Sequence, residues 1–364
     1  MKRVLIILGA LVVLCSMPAL AGATVAFNKL VAPYTFANQP TTAQPIWVAN
    51  NDGSGARQLP ISGQPFVSPD GKMIAYAATT PNAPYEWNVA SGPLHFYTIA
   101  TGVDFDTQTG CVSPVWAPNS SAVACWSYGS NGNGLGELFT LSTAGTSTTI
   151  YTNTAKSYSA GGSTWSPSSE HIAWTMTYNQ GENGKWSPGS KLRAIQADGK
   201  GQLEKLSKGS SPVWGPSGVP RIAFIRGNNV WELNSEVWSD SWQVSHWTAS
   251  NSEVNMGPFP AFFTPNGKKI VGRQIVALDD YGVTVVINGK GNNNVNKLTG
   301  LTALNNFPAA VSADGKMVLV GFGTAPYATT IDQSYYRTIP IAGGKSQLFM
   351  SNVTFLTVSA DWQP

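Results

Sequence analysis

Few residues in this chain are of a type and spacing that could carry acid-base or metal chemistry. The three histidines, His95, His171 and His246, lie far apart, and none has the close neighbours a zinc motif requires. There is no G-x-S-x-G elbow, phosphate-binding loop or dinucleotide fingerprint, and Gly132-Asn133-Gly134-Leu135-Gly136 reads as a flexible loop. Asp279-Asp280 could supply a general acid or a cation ligand. A glycosidase, however, needs two carboxyl groups about 5–10 Å apart across a cleft, and this pair has no placed partner. The sequence therefore points to no catalytic residue, no metal site and no cofactor.

Aromatic residues are the richer signal. Tyr85, Trp87, Tyr128, Tyr178, Trp186, Tyr281 and Tyr327 stand among Asn, Gly and Ser in long inter-strand stretches, with Tyr34 in a similar N-terminal stretch. Flat rings beside amides suit sugar faces or the apolar anchors of a protein partner. The same rings could instead pin the loops to the sheets beneath. A second concentration, Trp231, Trp238, Trp242 and Trp247, suits either an outer docking patch or packing between neighbouring sheets.

Two cysteines have their own chemistry. Residues 1–21 carry Lys2 and Arg3, the apolar run Val4 to Leu14, and Ala19-Leu20-Ala21, the plan of a cleaved secretory leader. Leu14 stands where a lipoprotein signal needs a small residue before Cys15. Cleavage after Ala21 removes Cys15 and leaves Cys111 and Cys125 in an oxidising compartment, periplasmic or extracellular, where a disulfide is expected. A hairpin turning at Pro118 would set the two cysteines opposite each other. Two free thiols or a metal pair is the alternative.

Composition bounds the partners. Only 11% of residues are charged, against roughly 25% in an average soluble protein, while Gly (37) and Pro (24) abound and 13 Trp supply core material. The net charge is +3 and no Lys/Arg run exceeds two residues, so no stripe exists to neutralise a phosphate backbone and no nucleic-acid partner is expected. No stretch after the leader is long enough to span a membrane. Oligomeric state is not legible.

The elements that must position the aromatics come from a repeat. Phe66-Val-Ser-Pro-Asp-Gly-Lys72 recurs as Val115-Trp-Ala-Pro-Asn-Ser-Ser121, Thr164-Trp-Ser-Pro-Ser-Ser-Glu170, Val213-Trp-Gly-Pro-Ser-Gly218, Phe262-Phe-Thr-Pro-Asn-Gly-Lys268, Ala310-Val-Ser-Ala-Asp-Gly-Lys316 and Thr357-Val-Ser-Ala-Asp-Trp362. Aligned on Pro69, Pro118, Pro167, Pro216, Pro265, Ala313 and Ala360, the spacings are 49, 49, 49, 49, 48 and 47. Each anchor has the residues of a type I turn, so a strand must fold back there. Asp70, Asp314 and Asp361 are turn residues by position, and Trp116, Trp165 and Trp214 occupy one recurring core place. A strand follows each of the first six anchors, then a third strand such as His95 to Ile99 or Leu192 to Gln196, then a hairpin signal such as Asp198-Gly199.

The sequence predicts an all-β fold: a seven-bladed β-propeller of four-stranded blades over residues 22–364, after the 1–21 leader. The last anchor leaves room for one C-terminal strand, and Thr24 to Phe27, Ile46 to Asn50 and Arg57 to Pro60 supply three more. One C-terminal and three N-terminal strands then close the ring. The aromatic-Ser-Pro-Asp-Gly-Lys-x-Ile-Ala pattern resembles the TolB-like, WD-repeat-like β-propellers over nearly the whole chain. It differs from TolB itself, which has an α/β domain and six blades. Propellers of this kind commonly serve as interaction platforms. The expected function is an exported, non-enzymatic propeller that binds a protein or glycan on its loop-rich face. The alternative is a carbohydrate-active enzyme, a polysaccharide lyase or glycoside hydrolase, with its site at the channel mouth.

Overall fold

The anchor turns form as their residue types dictate. In the first, the Ser68 amide donates to the Met73 carbonyl (2.8 Å) and the Gly71 amide to the Ser68 carbonyl (2.9 Å). Gly71 sits at φ 69°, and the equivalent Ser120 and Ser169 at φ 60° and 63°. A left-handed residue there reverses the strand.

A computed structural model gives the fold and describes residues 24–29, 34–35, 43–77, 92–128, 135–152, 158–178, 189–201, 204–227, 229–238, 240–245, 259–275, 282–288, 295–298, 306–322, 330–331, 335–360 and 362. The chain begins with β1 (Thr24–Lys29), the short β2 (Tyr34–Thr35), β3 (Pro45–Asn50) and β4 (Arg57–Ser62). A first unit follows: β5 (Gln64–Val67), β6 (Met73–Ala77), β7 (Gly92–Thr98) and the long β8 (Asp104–Trp116). The second unit uses the end of β8 with β9 (Ala122–Tyr128), β10 (Leu135–Ser142) and β11 (Ser147–Thr152). The third is β12 (Tyr158–Trp165), β13 (His171–Tyr178), β14 (Gly189–Gln196) and β15 (Glu204–Lys208). The fourth is β16 (Ser210–Trp214), β17 (Arg221–Arg226), β18 (Asn229–Asn234) and β19 (Ser241–Gln243). The fifth is β20 (Phe259–Phe263), β21 (Lys269–Ile275), β22 (Gly282–Asn288) and β23 (Val295–Lys297). The sixth is β24 (Asn306–Val311), β25 (Met317–Phe322), the two-residue β26 (Thr330–Ile331), β27 (Tyr335–Pro340) and β28 (Gln347–Ser351), before the final β29 (Val353–Val358).

The last strand closes the structure onto the first. β29 pairs antiparallel with β1, Val358 opposite Val25, in a sheet ordered β29-β1-β3-β4. One C-terminal and three N-terminal strands thus make this closing unit, as the sequence predicts. One feature differs from expectation. The fourth strand of the first unit and the first strand of the second are a single strand, β8, which pairs with β7 up to Cys111 and with β9 from Val112. Two units therefore share one seven-stranded sheet. At three other described crossings one residue of positive φ makes the bend, Gly63, Gly209 and Asn352; in β8 Gln108 and Ser113 take that conformation inside the strand.

The core lies between the units. Among the described residues seven buried apolar clusters occur, each shared by two consecutive units. Ile74 and Tyr76 meet Val48 and Leu59 of the closing unit, and Tyr336 and Leu319 of the sixth unit meet Phe27 and Trp362 at the other end of the chain. Burying one such side chain contributes about 1.5–3 kcal/mol, whereas an exposed ion pair such as Lys72–Asp70 (3.4 Å) contributes about 0–1 kcal/mol. Apolar packing at the junctions therefore holds the ring.

Candidate binding face

The two ends of the sheets differ in kind. At one end the anchor turns bond to their neighbours: the Asp70 amide donates to Ser120 Oγ (3.1 Å), the Asn119 amide to Ser169 Oγ (3.2 Å), the Ala360 amide to the Pro69 carbonyl (2.9 Å) and the Ala313 amide to the Trp362 carbonyl (2.9 Å). The carboxylates there are consumed locally. Asp314 accepts from the Ser312 hydroxyl (2.7 Å) and the Lys316 amide (3.0 Å), and Asp70 accepts equivalently from Ser68 and Lys72. The Lys316 amide and Ser312 hydroxyl hold the Asp314 carboxyl below its ordinary range. At Asp70 burial opposes ionisation, yet the Ser68 and Lys72 donors outweigh it.

The other end carries the long connections, because antiparallel pairing brings the end of each second strand beside the start of the third. Residues 78–91, 129–134, 179–188, 276–281 and 323–334 join those strand ends in sequence and, apart from Thr330–Ile331, lie outside the described residues. Tyr128 and Tyr178 are the last residues of β9 and β13, so their backbone lies at this end of the strands. Tyr85, Trp87, Trp186, Tyr281 and Tyr327 lie outside the described residues, as do Asp279, Asp280, His246 and Trp247. β2 pairs with β26, Tyr34 opposite Ile331 and Thr35 opposite Thr330, so the connections within the closing and sixth units are joined.

Several aromatics serve packing instead. Trp116 and Trp165 are 9% and 7% exposed and each donates its indole Nε1 to the preceding unit. Trp238 stands edge-on to Trp214 at 5.7 Å and lies 6.1 Å from His171. Trp231 and Trp238 pack in the third–fourth junction and Trp242 in the fourth–fifth. These three take the inter-sheet role and not that of an outer docking patch.

The disulfide is present: Cys111 and Cys125 are bonded, with Cα atoms 5.2 Å apart, and both are buried. The geometry that sequence symmetry predicts is corrected, however. The β8–β9 register pairs Trp116 with Val123, so the turn centres on Asn119 and Ser120 and not on Pro118. A bulge between Val112 and Val115 then brings Cys111, which faces Gly92 of β7, to Cys125. The bond staples the crossing between the first two units.

One polar cluster was not legible from spacing. Across β6, β7 and β8, the His95 ring stacks on Tyr76 at 4.9 Å, with Nδ1 3.4 Å from Asp104 and Nε2 3.9 Å from Asp106. The Tyr76 hydroxyl donates to Asp104 (2.8 Å); burial and that carboxylate push the phenol far above its ordinary range. The clue was the hairpin at Gly102, which sets His95 opposite Asp106. The cluster lies on the junction with the closing unit, beside Tyr97. Among the described residues no group of three or more His, Cys, Asp or Glu is placed to hold a metal ion. At the loop-rich end, Lys29 covers the Trp47 ring at 3.3 Å, and Arg226 lies 4.3 Å from Trp231.

No helix among the described residues is long and apolar enough to cross a membrane. Comparison with known protein families and with curated protein sequences finds no match. Solved structures do match. A prolyl endopeptidase superposes with a TM-score of 0.59 at 12% identity over 93% of this chain and 50% of that one, so the chain spans half of that protein's length. An oligogalacturonate lyase in complex with manganese gives 0.55 at 12% identity over 88% and 85%, and the tricorn protease 0.56 at 11% over 94% and 36%. At these identities the likeness concerns fold alone: the chain is an all-β propeller.

Proposed function

We propose that the protein is an exported, non-enzymatic β-propeller that binds a protein or glycan partner through its loop-rich, aromatic face. The observation that carries the reading is the inequality of the two ends. One is sealed by turn-to-turn hydrogen bonds, while the other bears the long connections and the β2–β26 pair that joins two of them. Loops held on a rigid scaffold are where binding residues concentrate. Export is supported by the charged and apolar leader and by the buried disulfide, which suits an oxidising compartment. The repeated aromatic-Ser-Pro-Asp-Gly-Lys pattern supports kinship with the TolB-like propellers.

The test is a glycan array and a pull-down from envelope extracts, each with the protein and its Trp87→Ala/Trp186→Ala variant. Retention of a defined glycan or protein that the variant loses by tenfold or more supports this face; equal retention by both overturns it. The lyase alternative draws on the near-complete mutual coverage with the oligogalacturonate lyase and on Asp279-Asp280. It predicts unsaturated uronate products from oligogalacturonate when manganese is supplied, abolished by Asp279→Asn/Asp280→Asn.

A further inference from the structure

The junction between the sixth and closing units, where the two ends of the chain meet, keeps an aromatic ring in solvent at its loop-rich end. Strand pairing puts Phe307 of β24, Gly321 of β25 and Tyr336 of β27 in one row. A Cβ on Gly321 would fall 2.4 Å from the Phe307 ring, so the missing side chain is what lets that ring reach across β25. It meets Tyr336 edge-on at 6.2 Å. The row faces the closing unit, because Tyr336 packs with Phe27 there. Tyr336 is buried, whereas Phe307 remains 36% exposed.

The opposite wall carries a cation. Lys29, the last residue of β1, holds its ammonium 3.3 Å from the centre of the Trp47 ring, and Trp47 stacks on Phe27 at 6.4 Å. Phe27 and Trp47 pack in the same cluster as Tyr336, so the cation and the exposed ring belong to facing walls of one junction. The fourth unit repeats the arrangement and uses it differently. Arg226 lies over Phe224 and Trp231, but its guanidinium donates to the Ser207 hydroxyl and the Lys208 carbonyl of the third unit. Among the described residues Lys29 has no carboxylate or carbonyl partner, only the ring. The β2–β26 pair ties together the connections of these same two units, which holds the walls in register.

An ammonium held in place by a ring needs little further ordering to engage a ligand, and it suits a carboxylate. The neighbouring exposed ring suits the apolar face of a sugar. A protein's apolar anchor would instead call for a fully desolvated pocket, which a ring left 36% exposed does not make.

We propose that this cleft takes an oligosaccharide bearing carboxylates, with a sugar ring on Phe307 and a carboxylate on Lys29. The inference rests on the glycan-binding reading of the loop-rich face and narrows it to acidic sugars.

Binding of hyaluronan, alginate and galacturonate hexasaccharides is measured by calorimetry without added metal, each beside its carboxyl-reduced, neutral counterpart. The expected result is that the wild type holds at least one acidic hexasaccharide and its reduced form at least tenfold more weakly. Lys29→Gln then brings the acidic ligand down to the level of the reduced one, and Phe307→Ala weakens it at least tenfold. Lys268→Gln, with the same change in net charge on the turn-bearing end, stays within twofold. Should Phe307→Ala not fold by near-ultraviolet circular dichroism, Phe307→Leu replaces it with the same expectation. Absence of binding by the wild type, equal binding of the reduced forms, or a Lys29→Gln variant within twofold of the wild type overturns the proposal. A protein retained from envelope extract while no acidic hexasaccharide is held also overturns it and leaves the loop-rich face standing, as does loss only in Trp87→Ala/Trp186→Ala.

Discussion

The indole Nε1 of Trp116 donates to the carbonyl of Phe66 at 2.8 Å, and Trp165 repeats the bond to Val115 at 2.9 Å, each reaching fifty residues back into the preceding unit. Trp214 holds the same place in its own anchor, yet its buried Nε1 has no hydrogen-bond partner. Its ring stands instead against Trp238.

That difference separates two substitutions of equal size. Trp116→Phe removes the bond to the Phe66 carbonyl and should cost about 0.5–1.5 kcal/mol more than Trp214→Phe, the net contribution of a typical hydrogen bond. Urea unfolding of both variants measures this, and equal costs would show that the inter-unit bond contributes nothing.

The Cys111–Cys125 bond closes a separation of 14 residues. Cys111→Ala/Cys125→Ala should lower stability by about 3 kcal/mol, the value expected from restricting the unfolded chain over such a loop. Thiol titration of the unfolded wild-type protein, before any reductant, should find no free cysteine between residues 22 and 364; two reactive thiols would contradict the pairing.

Gly63 makes a crossing that no other residue can make. It sits at φ 150°, and a Cβ there would fall 2.2 Å from the Ala77 carbonyl oxygen. Gly218, at φ 76° in an anchor turn, has nothing within 4 Å of that position. Gly63→Ala should therefore cost about 3 kcal/mol or more, and Gly218→Ala about 1–2 kcal/mol from backbone conformation alone. Thermal melts of the two variants should rank in that order.

Acid should loosen the turn ring. Asp70 and Asp314 have folded pKa values below the unfolded 3.8, so their contribution is complete above that value and is lost as pH falls through the folded ones. Melting temperature should drop as pH is lowered through and below about 4, and Asp70→Asn/Asp314→Asn should flatten that dependence. An unchanged slope in the variant would assign the acid sensitivity to other groups.

What the sequence by itself determined is the local chemistry of reversal. Ser-Pro-Asp-Gly at Ser68 to Gly71 and its six counterparts act within four residues, so strand order, repeat length and the joining of β29 to β1 were legible. Five innermost strands hold Pro65, Pro114, Pro212, Pro260 and Pro308, where each pairs on one side only and no amide is needed. Tertiary structure alone decided which residues face one another across strands and junctions. The register that pairs Trp116 with Val123 centres the Cys111–Cys125 turn on Asn119 and Ser120 instead of Pro118. Pairing across Gly102 put His95 against Asp106. Lys191 and Arg193 of β14 and Lys205 and Lys208 of β15 make no run in the sequence, yet pairing sets Lys191 opposite Lys208 and Arg193 opposite Lys205. Turn formation depends on adjacent dihedral angles, whereas these contacts depend on bulges and on which flank of a sheet meets its neighbour.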